Sequence, residues 1–228
     1  MADFFIRRHL LPALAALSLA LAGCAASFAP KPTRPAIEHA EEGENLVFQR
    51  KFEEAEKEFR LALLAAPEET SHYLRHADLL EILGRDQEAR EVLTAGLRSS
   101  KPDRDQTLHL THRLILLNAL KLDGLKEAVR LLETLPPDSF ARTDGAGVIA
   151  LSQDQPRAAL PLFDRAQHLA RNTDEQALAL YHAALAYLRL EDEKSTSAAL
   201  YYAITLAENP VLIKDIERLW AKINIKTN

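Results

Sequence analysis

The stretch "FQRKFEEAEKEFRLALLAAPEE", residues 48–69, decides the fold of this chain. Ala55, Phe59 and Ala62 recur at four- and three-residue steps, which places them on one face of a helix. Glu53, Glu54, Glu56 and Glu58 lie beside lysine and arginine, as a solvated helix face does. Pro67 stops the helix, because the residue before a proline is driven out of the α region. The stretch "ILGRDQEAREVLTAGLRSSKPD", residues 82–103, repeats the pattern with Ala89, Leu93 and Gly96 on the face and Pro102 as the stop. Ala55 to Ala89 is 34 residues.

From Ala36 to the C-terminus no strand-type alternation is sustained, and apolar residues recur at helical steps. Looser copies of the same pattern follow. "LDGLKEAVRLLETLPP" (122–137) carries Ala128 and Leu132, and "QPRAALPLFDRAQHLA" (155–170) carries Ala159, Phe163 and Ala166. A last copy has Ala184 and Tyr187, then Leu200 and Ala203, with Thr196 where the other copies have alanine. Helix pairs are expected at 36–50 with 52–66, 70–84 with 86–99, 105–122 with 124–135, 138–153 with 155–171, and 174–190 with 193–208. Asn209 and Pro210 then form a helix start, an N-cap followed by proline in the first turn. The segment after it carries Leu212, Ile216, Leu219, Trp220 and Ile223 on one stripe.

A 34-residue helix-pair period with small residues at the crossing resembles the tetratricopeptide (TPR) family over nearly all of residues 36–208. The resemblance implies an all-α fold, a right-handed α-solenoid of about five TPR-like helix pairs, with residues 209–228 as a C-terminal capping helix and tail. It also implies an inner groove lined mainly by the first helix of each pair. Phe48, Asp78, Glu81, Arg113, Leu117, Lys121, Tyr181 and Arg189 are the candidate partner groove. The family's carboxylate clamp uses Lys and Asn in this groove. Ala40, Glu44, Asp78 and Leu117 stand on the corresponding faces here, which disfavours capture of a free carboxyl terminus.

The N-terminus carries a different signal. Arg7 and Arg8 precede an apolar run from Leu10 to Leu21, followed by the small residues Ala22 and Gly23. This is the layout of a secretory signal peptide, and twelve helical residues span only about 18 Å, too few to cross a bilayer. Cys24 is the single cysteine of the chain, so no internal disulfide forms. Leu21, Ala22, Gly23 and Cys24 resemble the lipobox of bacterial lipoproteins at all four positions. The resemblance implies residues 1–23 as signal peptide, cleavage between Gly23 and Cys24, and acylation of Cys24 as the contact with the bilayer. Two or more acyl chains give stable anchoring where one does not. Ala25 rather than aspartate after the cysteine favours, in that family, the outer membrane. Residues 24–35, with Pro30, Pro32 and Pro35, read as an extended tether.

At 228 residues, with 47% hydrophobic and 27% charged residues, the chain is long enough for one domain or repeat array. Removing residues 1–23 changes 28 basic and 33 acidic residues to 26 and 32, a net charge of about −6. That is the wrong sign for nucleic acid. His72 and His76 share a helix face, and His109 and His112 nearly do, so a metal pair is geometrically conceivable. Tyr73, Leu74 and Arg75 between the first two do not make a metalloprotease pattern. "TDGAGVIAL" (143–151) lacks phosphate-loop spacing, and close helix packing accounts for Gly147. With no nucleophile beside a base, the expected function is non-catalytic and needs no cofactor. It is a membrane-anchored adaptor that binds another cell-envelope protein through the groove, in assembly of an envelope, secretion or pilus complex. The alternative is a small-ligand or metal carrier.

Overall fold

A computed structural model describes residues 34–99 and 103–226. The signal peptide, Cys24, most of the tether and Pro102 lie outside the described residues. Within them the chain is an all-α solenoid of five helix pairs and a final helix. The pairs are α1 (Ala36–Phe48) with α2 (Phe52–Ala65), α3 (Thr70–Ile82) with α4 (Asp86–Ser99), and α5 (Arg104–Leu120) with α6 (Leu125–Glu133). Then come α7 (Phe140–Ser152) with α8 (Pro156–Leu169), α9 (Thr173–Arg189) with α10 (Glu193–Leu206), and α11 (Pro210–Lys226).

The small residues of the repeat sit where the helices cross. Ala55, Ala89, Ala128 and Ala159 are sealed from solvent, and so is Thr196 in the fifth copy. The Thr196 hydroxyl is satisfied by donating to the carbonyl of Asp192 at 2.7 Å, which is how a polar residue holds an alanine's place. Two first helices use glycine against a phenylalanine of their partner. A Cβ at Gly43 would lie 2.6 Å from the Phe59 ring, and one at Gly147 2.4 Å from Phe163. Both distances are impossible for a real side chain, so these helix pairs approach as closely as they do only with glycine there.

The turn inside each pair follows one recipe. Arg50, Gly84, Asp123, Asp154 and Glu191 each have positive φ, one per pair. In four pairs the next amide donates five residues back, Lys51 to Leu46, Arg85 to Leu80, Gln155 to Ala150 and Asp192 to Tyr187. This is the Schellman closure of a helix C-terminus. The third pair has one residue more in its turn, and there the amide of Gly124 donates to the carbonyl of Asn118 at 2.7 Å. These left-handed stops end α1, α3, α5, α7 and α9 one or two residues before the sequence-based limits. Only one of the five stops is glycine, so the other four carried no composition signal.

Later first helices start on side-chain caps. Asp103 forms a capping box with Gln106, Ser139 accepts from Arg142, and Asn172 accepts from Glu175. Asn209 accepts from the amides of Val211 and Leu212 at the start of α11. The apolar stripe of α11, Leu212, Ile216, Leu219 and Ile223, packs with Ala177, Ala184, Leu200 and Ala203, and half-buried Trp220 leans on the same cluster. α11 therefore covers the last repeat, and it also packs against α3, from the second pair.

Candidate functional site

The first helices α3, α5, α7 and α9 turn their faces inward, and α11 lies across them. Together they surround a cavity of about 590 Å³. Its walls include Leu74, Leu116, Leu178, Leu185 and Leu212, with charged residues at intervals. Asp78, Glu81, Arg113, Leu117, Lys121, Tyr181 and Arg189 all line it. Phe48 does not. As the last residue of α1 it lies off that helix's buried face of His39, Gly43 and Leu46, and it is 89% exposed.

The charges on the inner face satisfy one another. Arg113 pairs with Asp78 at 2.8 Å and with Glu81, and Lys121 pairs with Glu81 at 3.1 Å. Lys121 also lies 3.5 Å from Asp215 on α11, and Lys214 donates to the carbonyl of Ile82. Burial raises the Glu81 carboxyl, but Arg113 and Lys121 overcome it and hold the group below the ordinary carboxylate range. Burial dominates at Asp78 and leaves it raised. Arg113, between two carboxylates, is held above its ordinary value despite burial. At the far end, Arg189 donates to the carbonyl of Leu151 at 2.6 Å. These side chains build the inner face as much as they present it.

The deepest polar group is one that sequence reading missed. Asp144 on α7 is fully buried between two histidines, with Oδ2 2.9 Å from His112 Nε2 on α5 and Oδ1 2.8 Å from His182 Nδ1 on α9. Burial pushes this carboxyl up, and the two imidazoles more than reverse that, so it stays ionised. The three residues come from the first helices of successive repeats, 32 and 38 positions apart, close to the repeat period. That spacing, and a lone carboxylate in the helix Phe140–Ser152, were the available signals.

The histidine pairs proposed from sequence spacing part company. His112 turns to Asp144, and His109 is exposed at the cavity rim. His72 and His76 are buried, with His76 against Phe59 at a ring separation of 6.4 Å. Among the described residues no group of three His, Cys, Asp or Glu is placed to hold a metal ion. No described helix is long and apolar enough to cross a membrane.

The solenoid is similar to a chain of the APC/C hetero-tetramer Cut9–Hcn1, with a TM-score of 0.59 and 18% identity over 85% of this chain. This chain spans 37% of that one. It is also similar to YrrB, a TPR protein with an unusual peptide-binding site (TM-score 0.45, 18% identity, 80% of this chain and 92% of that one). A third similarity is to MamA from Desulfovibrio magneticus RS-1 (0.49, 17%, 75% and 94%). At such identities the likeness concerns the fold, which is TPR-like. The sequence matches no protein-family model and no curated protein.

Proposed function

We propose that this chain is a lipid-anchored interaction scaffold of the bacterial cell envelope with no catalytic role of its own, holding a segment of a protein partner along its inner face. The observation that carries the reading is that this face already accommodates a helix, α11, which packs on α3 and matches Asp215 to Lys121. An inner face of leucines interrupted by paired charges suits a short helical or extended segment. Anchoring through Cys24 rests on the lipobox resemblance of Leu21, Ala22, Gly23 and Cys24. The outer membrane is the proposed location, and assembly of an envelope, secretion or pilus complex the proposed setting.

Crosslinking capture from intact envelopes, with Cys24→Ser alongside, tests both halves. One dominant partner in the wild type, lost when Cys24→Ser leaves the membrane fraction, is the expected result. A Cys24→Ser chain that fractionates with membrane as the wild type does removes the anchor.

One observation favours a second reading, a carrier of a small molecule. α11 roofs the inner face and turns a groove into a cavity whose volume falls in the roughly 300–1,000 Å³ range of small-molecule sites.

A further inference from the structure

The ligand assigned here rests on the carrier reading of the cavity, which is long and narrow. On α5 its lining residues run from Asp105 to Leu120, a rise of about 22 Å, and on α9 from Glu175 to Leu188, about 20 Å. Spread over that length, a volume of about 590 Å³ makes a channel narrower than the roughly 10–12 Å of a helix with its side chains. α11 already takes a helix's place on this face, and what remains beneath it admits a single chain.

The unspent surface of the channel is apolar. Leu74, Leu116, Leu120, Leu178, Leu185 and Leu188 line it and are only half-buried, whereas core leucines such as Leu110 and Leu200 are sealed. Covering that surface is favourable. The polar groups of the wall are spent on one another. Arg113 is held by Asp78 and Glu81, Lys121 by Glu81 and Asp215, Arg171 by Asp105 at 3.0 Å, and Arg189 by the Leu151 carbonyl. Asp174 accepts from the amides of Glu208 and Asn209, and Glu175 from that of Arg171. His112 and His182 face Asp144 at 2.9 and 2.8 Å, and burial keeps the Tyr181 hydroxyl protonated. A charged head drawn between these walls would lose its water and meet no free counter-charge, which is costly. A peptide strand would bring a backbone donor and acceptor with every residue. A hydrocarbon chain brings neither.

We propose that the channel binds one long, unbranched hydrocarbon chain, that of a single-chain amphiphile such as a fatty acid or long-chain alcohol. The chain lies along Leu116, Leu120, Leu178 and Leu185. Its head stays in water at the end where Asp105, His109 and Arg171 are exposed. Octanol, decanol, octanoate and decanoate vary chain and head separately. The test is calorimetric titration of each into the Cys24→Ser full chain in detergent-free buffer.

Each pair of added methylenes is expected to tighten binding roughly fifteenfold, and decanol and decanoate to agree within about tenfold. Leu185→Trp, which fills the middle of the channel, should weaken decanol about tenfold or more, and Phe48→Ala, at an exposed apolar site outside it, should not. If Leu185→Trp does not fold, Leu178→Trp, two turns earlier on α9, takes its place. Decanol binding that the folded tryptophan variant leaves unchanged overturns the site. A larger gap between decanol and decanoate overturns the placement of the head in water. Binding that does not strengthen with chain length overturns the hydrocarbon ligand and leaves the carrier reading standing. Binding of none of the four to the folded chain overturns both, because any ligand of these walls must use the leucine surface.

Discussion

Lys121, the residue that caps the end of α5, and Asp215 on α11 lie 3.5 Å apart, an ion pair that joins the third repeat directly to the C-terminal helix. Lys214, beside Asp215, reaches the carbonyl of Ile82 at the end of α3, 132 residues earlier in the chain. α11 is thus held on two sides, by apolar packing on α9 and α10 and by a charged edge across the inner face. Replacing Lys214 and Asp215 together by alanine removes the charged edge and spares the apolar stripe. Partly exposed pairs contribute about 0.2–1 kcal/mol each, so the thermal midpoint should fall by only about 2–4 °C. Amide exchange along α11 should nevertheless accelerate clearly. Unchanged exchange would mean that the apolar stripe alone holds the helix in place.

The pairing of Arg113 with Asp78 and Glu81 gives a sharper stability test. Glu81 is 6% exposed, and Arg113→Met would leave it and Asp78 without their main counter-charge. The expected loss is roughly 3–5 kcal/mol in urea unfolding. Reversing both Arg113 and Lys121 to glutamate would bring like charges together around Glu81, and that double variant should not reach the folded state. Partner capture by it would therefore report unfolding rather than recognition. Glu44→Lys, at a half-exposed position paired with Arg75, is a milder control and should stay within about 1 kcal/mol of wild type.

Helical periodicity and the stop at Pro67 made the array legible, because a packed helix face and a broken helix both leave marks in residue type. The crossings at Ala55, Ala89 and Ala159 were legible for the same reason: close approach demands small side chains. The inner face could be assigned to first helices, which placed Asp78 through Arg189 on the cavity, while Phe48 escaped because it lies beyond the last inward turn of α1. Asp144 with His112 and His182 was not found, since its geometry depends on how three repeats are rotated against each other. The reach of α11 to α3 depends on the cumulative curvature of the solenoid, which no single repeat encodes.

Backbone conformation inside the turns predicts substitutions of opposite sign. Gly84 has φ of +75° and a Cβ there would meet nothing within 4 Å, so Gly84→Ala tests the left-handed conformation without a clash. It should cost about 1–2 kcal/mol. Asp154 occupies the equivalent stop with φ of 58°, and Asp154→Gly should stabilise by about 0.5–1 kcal/mol after the added freedom of the unfolded chain is subtracted. Urea midpoints of the two variants should move in opposite directions from wild type. Movement in the same direction would show that contacts of the Asp154 side chain, such as its approach to Arg189, outweigh the backbone term.

His76 makes the fold sensitive to acid. It is 5% exposed, and neither ring nitrogen has a hydrogen-bond partner. Burial, the largest cause, depresses it from 6.5 to about 4. The unfolded chain therefore binds a proton at this residue that the folded chain refuses. Its contribution is complete above pH 6.5, falls as pH drops through that value, and levels off below about 4. The total is roughly 3 kcal/mol. His72 is depressed by burial as well and acts in the same direction. His76→Leu deletes the titrating group and two unpartnered polar atoms beside Phe59. Its urea stability near neutrality should equal or exceed that of wild type, by up to about 1–3 kcal/mol, since no buried donor or acceptor is left unmade. Its loss of stability between neutral pH and pH 4 should be correspondingly shallower, and a slope as steep as wild type would place the acid sensitivity elsewhere in the chain.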